Sequence, residues 1–149
     1  LDRGLRAKNP GNRFLTLAAV RLAPDGTLRI ANAGHCAVRI LRAGGGVETV
    51  PATGPLLGLL PAARWRIEER RLAAGDSLVL YSDGIPESSD AGDRELGEEG
   101  VEAALASLTS ESPEAVGTAL LATAARHREG REAEDDVTLV VARYRGAGA

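Results

Sequence analysis

Residues 78–87, LVLYSDGIPE, run an apolar stretch into an abrupt polar stop. Val79, Leu80 and Tyr81 read as a buried strand, and Ser82-Asp83-Gly84 ends it. Two readings fit that ending. Asp-Gly is a common turn signal, because glycine accepts a positive φ and aspartate bonds its own backbone. A carboxylate held on a rigid strand end is also what a hard cation needs. The rest of the chain bears on the choice.

Upstream, Leu1 to Ala7 looks like the tail of a helix, followed by a loop at Asn9, Pro10, Gly11 and Asn12. Arg13 to Leu22 is strand-like and apolar on both sides, which predicts a strand covered on both faces. Pro24-Asp25-Gly26 then turns the chain. Strands are expected at Leu28 to Ala33, Ala37 to Arg42 and Val47 to Val50, the last two joined across the glycines at 44 to 46 as an antiparallel hairpin. Pro51 to Pro61 reads as a loop, and Trp65 and Ile67 alternate with Arg66 and Glu68 as a strand with one wet face.

Downstream, the period changes. Val101, Ala104, Leu105 and Leu108 sit at helical spacing, and Ser112-Pro113 is a helix start, with serine as N-cap and proline at the first helical position. Val116, Ala119, Leu120 and Ala124 continue as an apolar stripe, and Val137 to Tyr144 closes the chain as a two-sided apolar strand. Strands, then two helices, then a last strand predict an α+β fold in one domain, with sheet packed on sheet and helices outside.

Bulk properties narrow the functional classes. With 149 residues, the chain can bury one substantial core. A net charge of −3 and 3% aromatics argue against a nucleic-acid binder, which would present basic patches and stacking rings. No apolar run nears the roughly 18 residues of a membrane span, so no membrane insertion by this segment is expected. A single cysteine, Cys36, forms no internal disulfide and points to a reducing, cytoplasmic setting. The chain starts at Leu1 and contains no methionine, so the expectation is a piece of a longer protein.

Three polar signals stand against this background: Asp83-Gly84, Asp135-Asp136 just before the closing strand, and Asn32-Ala33-Gly34-His35. Each has an ordinary alternative as a turn, a solvated loop or a surface histidine, and Cys36 reads as a small buried hydrophobe. Taken together, two strand ends bearing carboxylates would repel unless a divalent cation lay between them. Oxygen donors without a cysteine or histidine cluster favour Mg²⁺ or Mn²⁺ over zinc.

FLT (14–16), NAGH (32–35), PLLG (55–58), GDSLVLYSDGIPE (75–87), LG (96–97) and DDVT (135–138) follow one another in a familiar order. The chain resembles the C-terminal two-thirds of the catalytic domain of PPM-type metal-dependent protein phosphatases. It is most similar to the bacterial branch of sporulation protein E and the stress-response regulators. The resemblance implies an αββα sandwich and hydrolysis of phosphoserine or phosphothreonine on a protein, an anti-sigma-factor antagonist in that branch. It implies two Mn²⁺ or Mg²⁺ ions in the intact protein and a metal-activated water as nucleophile.

By position, the resemblance makes Asp83 and Asp135 metal ligands and puts Asp136 in the neighbouring slot. Gly84 would let the backbone pass close to the metals, Thr138 would brace the turn, and His35 would line the site without a catalytic role. The family's first ligand lies in a GD-x-x-G-H-G stretch that this sequence does not contain. The expectation is therefore a phosphatase parent whose piece 1–149 is inactive alone and tends to self-associate through uncovered sheet. The competing reading is a non-catalytic pseudophosphatase or docking module in the same signalling pathway.

Overall fold

In a computed structural model, residues 1–7 and 13–148 are described. The loop expected at Asn9, Pro10, Gly11 and Asn12 lies outside the described residues. The element order is α1 (Asp2–Ala7), β1 (Leu17–Leu22), β2 (Thr27–Ala33), β3 (Val38–Leu41), β4 (Val47–Val50), β5 (Glu68–Arg71), β6 (Ser77–Tyr81), α2 (Gly97–Ala106), α3 (Pro113–His127) and β7 (Leu139–Arg143). Two antiparallel sheets form, in the orders β1-β2-β5 and β4-β3-β6-β7.

Side-chain alternation decides how they stack. In β2, Leu28 and Ile30 are fully buried while Arg29 between them is exposed. They meet Val38 and Ile40 of β3, Val50 of β4 and Leu78 of β6 in the core between the sheets. The other face of the four-stranded sheet gives Leu41, Val79 and Tyr81 to a second core with Val101 and Leu105 of α2 and Val116, Leu120 and Ala124 of α3. The order of layers is thus sheet, sheet, helices, with α1 near the outer sheet face, where Asp2 Oδ1 accepts from Gly58 N at 2.8 Å. Each fully buried aliphatic side chain contributes about 1.5–3 kcal/mol of transfer free energy. The α3 start is as expected: Ser112 Oγ accepts from Ala115 N at 3.2 Å, and Pro113 is the first helical residue.

Three strands differ from their expected form. β1 begins at Leu17 and is an edge strand, and Phe14 and Leu22 are 61% and 41% exposed. Every residue of the strand is half-buried or exposed, so its apolar character does not translate into full cover on both faces. The strand expected from Trp65 forms later, at Glu68–Arg71. Trp65 instead donates from Nε1 to Pro55 O at 2.6 Å, leaving Ile67 outward. β7 is an edge strand of the four-stranded sheet, and its Val140 is 52% exposed.

Arg39 sits on β3 with 2% exposure and is charged. Its guanidinium donates to Glu98 Oε2 at 2.6 Å, Glu102 Oε2 at 2.5 Å and Thr49 Oγ1, while its Nε donates to the Tyr81 hydroxyl at 3.1 Å. Tyr81 passes its own proton toward Glu98 Oε2 at 2.6 Å. Burial, followed by this Glu98 contact, raises the phenol's pKa, so Tyr81 stays a neutral donor. The network ties the start of α2 to the end of β6, next to Ser82-Asp83.

A second anchored carboxylate, Asp76, accepts from Ala43 N at 2.9 Å, Ala73 N at 3.0 Å and Arg42 Nη1 at 2.6 Å. Burial pushes its pKa up, but the two N–H groups and the guanidinium outweigh this and hold it below the ordinary value. A depressed folded pKa stabilises the fold above the unfolded value, near 3.9, and that stability is lost as pH falls through this range. Asp76→Asn is therefore expected to flatten the loss of stability below about pH 4, read from denaturation midpoints across pH. Glu98→Ala removes the acceptor of the buried Tyr81 hydroxyl proton and one of the bonds of Arg39 Nη2, and a loss of about 1–3 kcal/mol is expected in chemical denaturation. Glu102→Ala should cost less, because Arg39 Nη1 keeps Thr49 Oγ1 as an acceptor and the Thr49 contact is exposed to water.

Candidate metal centre

The β6–β7 ladder runs in register from Ser77 opposite Arg143 to Tyr81 opposite Leu139. Immediately beyond its end lie Ser82-Asp83-Gly84 on one strand and Asp135 to Thr138 on the other. Ser82 laces the two together. Its N–H donates to Thr138 O at 2.9 Å, its hydroxyl donates to Asp136 O at 2.8 Å, and the same oxygen accepts from Thr138 N at 2.8 Å. Both contacts of Thr138 run through its backbone N–H and C=O.

Gly84 has a definite steric task. A Cβ there would sit 2.8 Å from Asp136 O and 3.2 Å from Asp135 O, so only glycine admits this approach. The close neighbour is the Asp135–Asp136 backbone, where the sequence reading placed metal ions. Asp83 O accepts from Glu87 N at 2.9 Å, which closes the turn, and the Asp83 residue itself is exposed. Asp135 Oδ1 accepts from Asp136 N at 2.7 Å, and both aspartates are exposed.

Electrostatics show the same convergence. Glu87 titrates above its ordinary value, through burial first and then the negative fields of Asp83, Glu95 and Asp135. The Cys36 thiol is pushed up to about 11, by burial first and then by Glu98 and Asp83. Cys36 is thus a protonated thiol packed against the helix-side core, without nucleophile character. His35 stands apart from the aspartates in its bonding: its Nδ1 pairs with Thr16 Oγ1 at 3.1 Å. The asparagine of NAGH is the structural part of that motif. Fully buried Asn32 accepts from His35 N and donates to Cys36 O, both at 2.9 Å, and so fixes the loop.

Two clefts adjoin the aspartates. The larger, about 730 Å³, runs along α3 past Arg128, Glu134, Asp135 and Asp136. The smaller, about 130 Å³, is bordered by Gly84, Glu87, Ser88, Glu95, Arg128 and Asp135. Ser88 and Arg128 carried no sequence signal, since one follows the turn motif and the other ends a helix with no apolar role. The donors on offer are all carboxylate and carbonyl oxygens, the chemistry a hard cation takes. Among the described residues, however, no three histidine, cysteine, aspartate or glutamate side chains converge as a complete ligand set. Asp83, Asp135 and Asp136 therefore form no complete ligand set by themselves among the described residues.

Comparison with known proteins places these features in a family. The model of stage II sporulation protein E (SpoIIE) matches residues 1–145. The chain is similar to the RsbU and RsbW domains of Rv1364c from Mycobacterium tuberculosis, with a TM-score of 0.78 and 25% identity over 98% of this chain and 40% of that one. It is also similar to the phosphatase domain of the cell fate determinant SpoIIE from Bacillus subtilis, presoaked with Mn, with a TM-score of 0.68 and 26% identity over 86% of this chain and 56% of that one. Protein IcfG of Synechocystis sp. is 33% identical over 64 residues, 43% of this chain and 10% of that protein. The chain therefore spans about half or less of the length of each of these relatives.

Gly84→Ala must force the Asp135–Asp136 backbone away from the Asp-Gly turn. A loss of about 1–3 kcal/mol is expected in denaturation, together with faster hydrogen exchange at the Thr138 amide as its bond to Ser82 opens.

Proposed function

The chain belongs to the stage II sporulation protein E family, matched over residues 1–145, and from that premise we propose that it is the C-terminal two-thirds of a metal-dependent protein phosphatase domain. The reaction is hydrolysis of a phosphoserine or phosphothreonine ester on a regulatory protein. An anti-sigma-factor antagonist in the cytoplasm is the substrate that the stress-response branch implies. In support, one similar chain carries RsbU and RsbW domains together. The absence of any helix long and apolar enough to cross a membrane among the described residues is compatible with that setting.

The observation that carries the proposal is the lacing of Ser82 to Asp136 and Thr138, which sets the Asp83 and Asp135–Asp136 segments side by side. In this reading Asp83 and Asp135 hold divalent cation, Mn²⁺ or Mg²⁺, with Asp136 beside them. A cation held there supplies charge neutralisation for the phosphate and lowers the pKa of a bound water. The chain's own residues do the rest. Ser82 keeps the two carboxylate segments at fixed separation, Gly84 lets them close up, and Asn32 holds the His35 loop in place at their margin. Completion of the ligand shell falls to a further carboxylate from the parent protein, so residues 1–149 alone are inactive or nearly so. Uncovered sheet in that piece favours association with a second copy.

The test compares Mn²⁺-dependent dephosphorylation of a phosphoserine protein by the full-length protein and by residues 1–149, with Mn²⁺ affinity measured alongside. Loss of a group that merely orients a metal ligand typically costs about 10–100-fold in affinity. Asp83→Asn in the full-length protein is expected to cost at least as much, and to abolish turnover. Unchanged Mn²⁺ affinity in that variant overturns the assignment of Asp83. Mn²⁺-independent turnover, or none in the full-length protein, overturns the metal-dependent phosphatase reading.

A further inference from the structure

Arg128 stands at the C-terminal cap of α3, at the boundary of both clefts that adjoin Asp135. Its guanidinium has one side-chain partner among the described residues, Ser88, whose Oγ accepts from Nη1 at 3.0 Å. Ser88 Oγ donates in turn to Gly84 O at 2.9 Å, so the guanidinium is tied to the Asp-Gly turn through one hydroxyl. Its Nε is shut off from solvent and bonded to nothing among the described residues.

Neighbouring arginines behave differently. Arg94 is spent on Asp90 at 2.7 Å, and Arg131 reaches Asp93 at 3.5 Å and Glu134 at 3.6 Å. Arg128 makes no ion pair among the described residues, although Glu87, Glu95, Glu132, Glu134 and Asp135 share the smaller cleft with it. A cation left unpaired among so many carboxylates, with a planar fork of donors mostly uncommitted, is suited to an incoming oxyanion.

We propose that Arg128 is a substrate-binding residue that takes oxygens of the phosphoryl group in the cleft bordered by Gly84 and Asp135. This rests on the phosphatase reading above. The surrounding carboxylates repel a phosphate dianion, and a cation between Asp83 and Asp135 offsets only the charge nearest to it. Arg128 supplies positive charge on the lining of the same cleft, with a fork of donors that two phosphate oxygens match. The Ser88 bridge fixes where that charge sits relative to the Asp-Gly turn.

The experiment uses full-length protein and inorganic phosphate as the probe, titrated calorimetrically with and without saturating Mn²⁺, next to titration of Mn²⁺ alone. Arg128→Gln is expected to leave Mn²⁺ affinity unchanged and to weaken phosphate binding about 10- to 100-fold, with KM for a phosphoprotein rising more than kcat falls. Arg128→Lys keeps the charge without the fork and should recover part of the loss. Phosphate affinity unchanged in Arg128→Gln overturns the proposal, and so does a parallel fall in Mn²⁺ affinity, which marks a purely structural role. Should Arg128→Gln fail to fold, Arg128→Lys decides: a several-fold weaker phosphate complex supports the proposal and wild-type affinity overturns it. Absence of Mn²⁺ binding and turnover in the wild-type protein instead defeats the underlying phosphatase reading, a result distinct from either.

Discussion

Ser82 carries the structure's central constraint. Its amide and hydroxyl together make three hydrogen bonds to residues 136–138, at 2.8 to 2.9 Å, just where the β6–β7 ladder ends. A strand pair normally splays after its last rung, and here it does not. The hydroxyl replaces the missing rung and holds two acidic loops against each other despite their mutual repulsion. Gly84 makes the complementary contribution by leaving empty the space that a side chain would need. One residue supplies attraction, the other removes obstruction, and the acidic face exists because both act at the same point.

The rest of the molecule holds that point steady. Tyr81, immediately before Ser82, is fully packed in the helix-side core, and its hydroxyl shares Glu98 with Arg39. Burying a guanidinium is expensive unless each donor is met, and here carboxylates from α2, a threonine from β4 and a phenol from β6 meet it. The outcome is a polar joint inside an apolar layer, fixing α2 to the strand that ends at the acidic turn. Glu98 and Glu102 remain 44% and 52% exposed, so solvent screens their pairing, and the joint's value lies more in direction than in strength.

How far this was legible in the sequence varies by element for physical reasons. β2, β3, β4 and β6 announce themselves because their alternation or apolar run matches their burial, and α3 because Ser112-Pro113 is a local start signal. β1 and β7 mislead for a shared reason: apolar residues on two faces say what a strand could bury, while its cover depends on neighbours remote in sequence. Trp65 reads as strand by alternation but turns instead to bond Pro55 O. In the acidic centre, Asp83, Gly84, Asp135 and Asp136 stand out because turn residues interrupt apolar strands. Ser82, Arg39, Ser88 and Arg128 act through partners about 40 or more residues away, and no local pattern encodes such pairings.

The pairing of Tyr81 with Leu139 has a consequence for fidelity. Leu139 and Val141 face the helix-side core while Val140 faces outward, so sliding β7 by one residue would drive an apolar pair into water. The same slide would move Asp136 and Thr138 past Ser82 and unseat the carboxylates. Hydrophobic sorting of an edge strand therefore acts as a vernier for the acidic loops: the chain cannot finish its core in the correct frame without also aligning its charges.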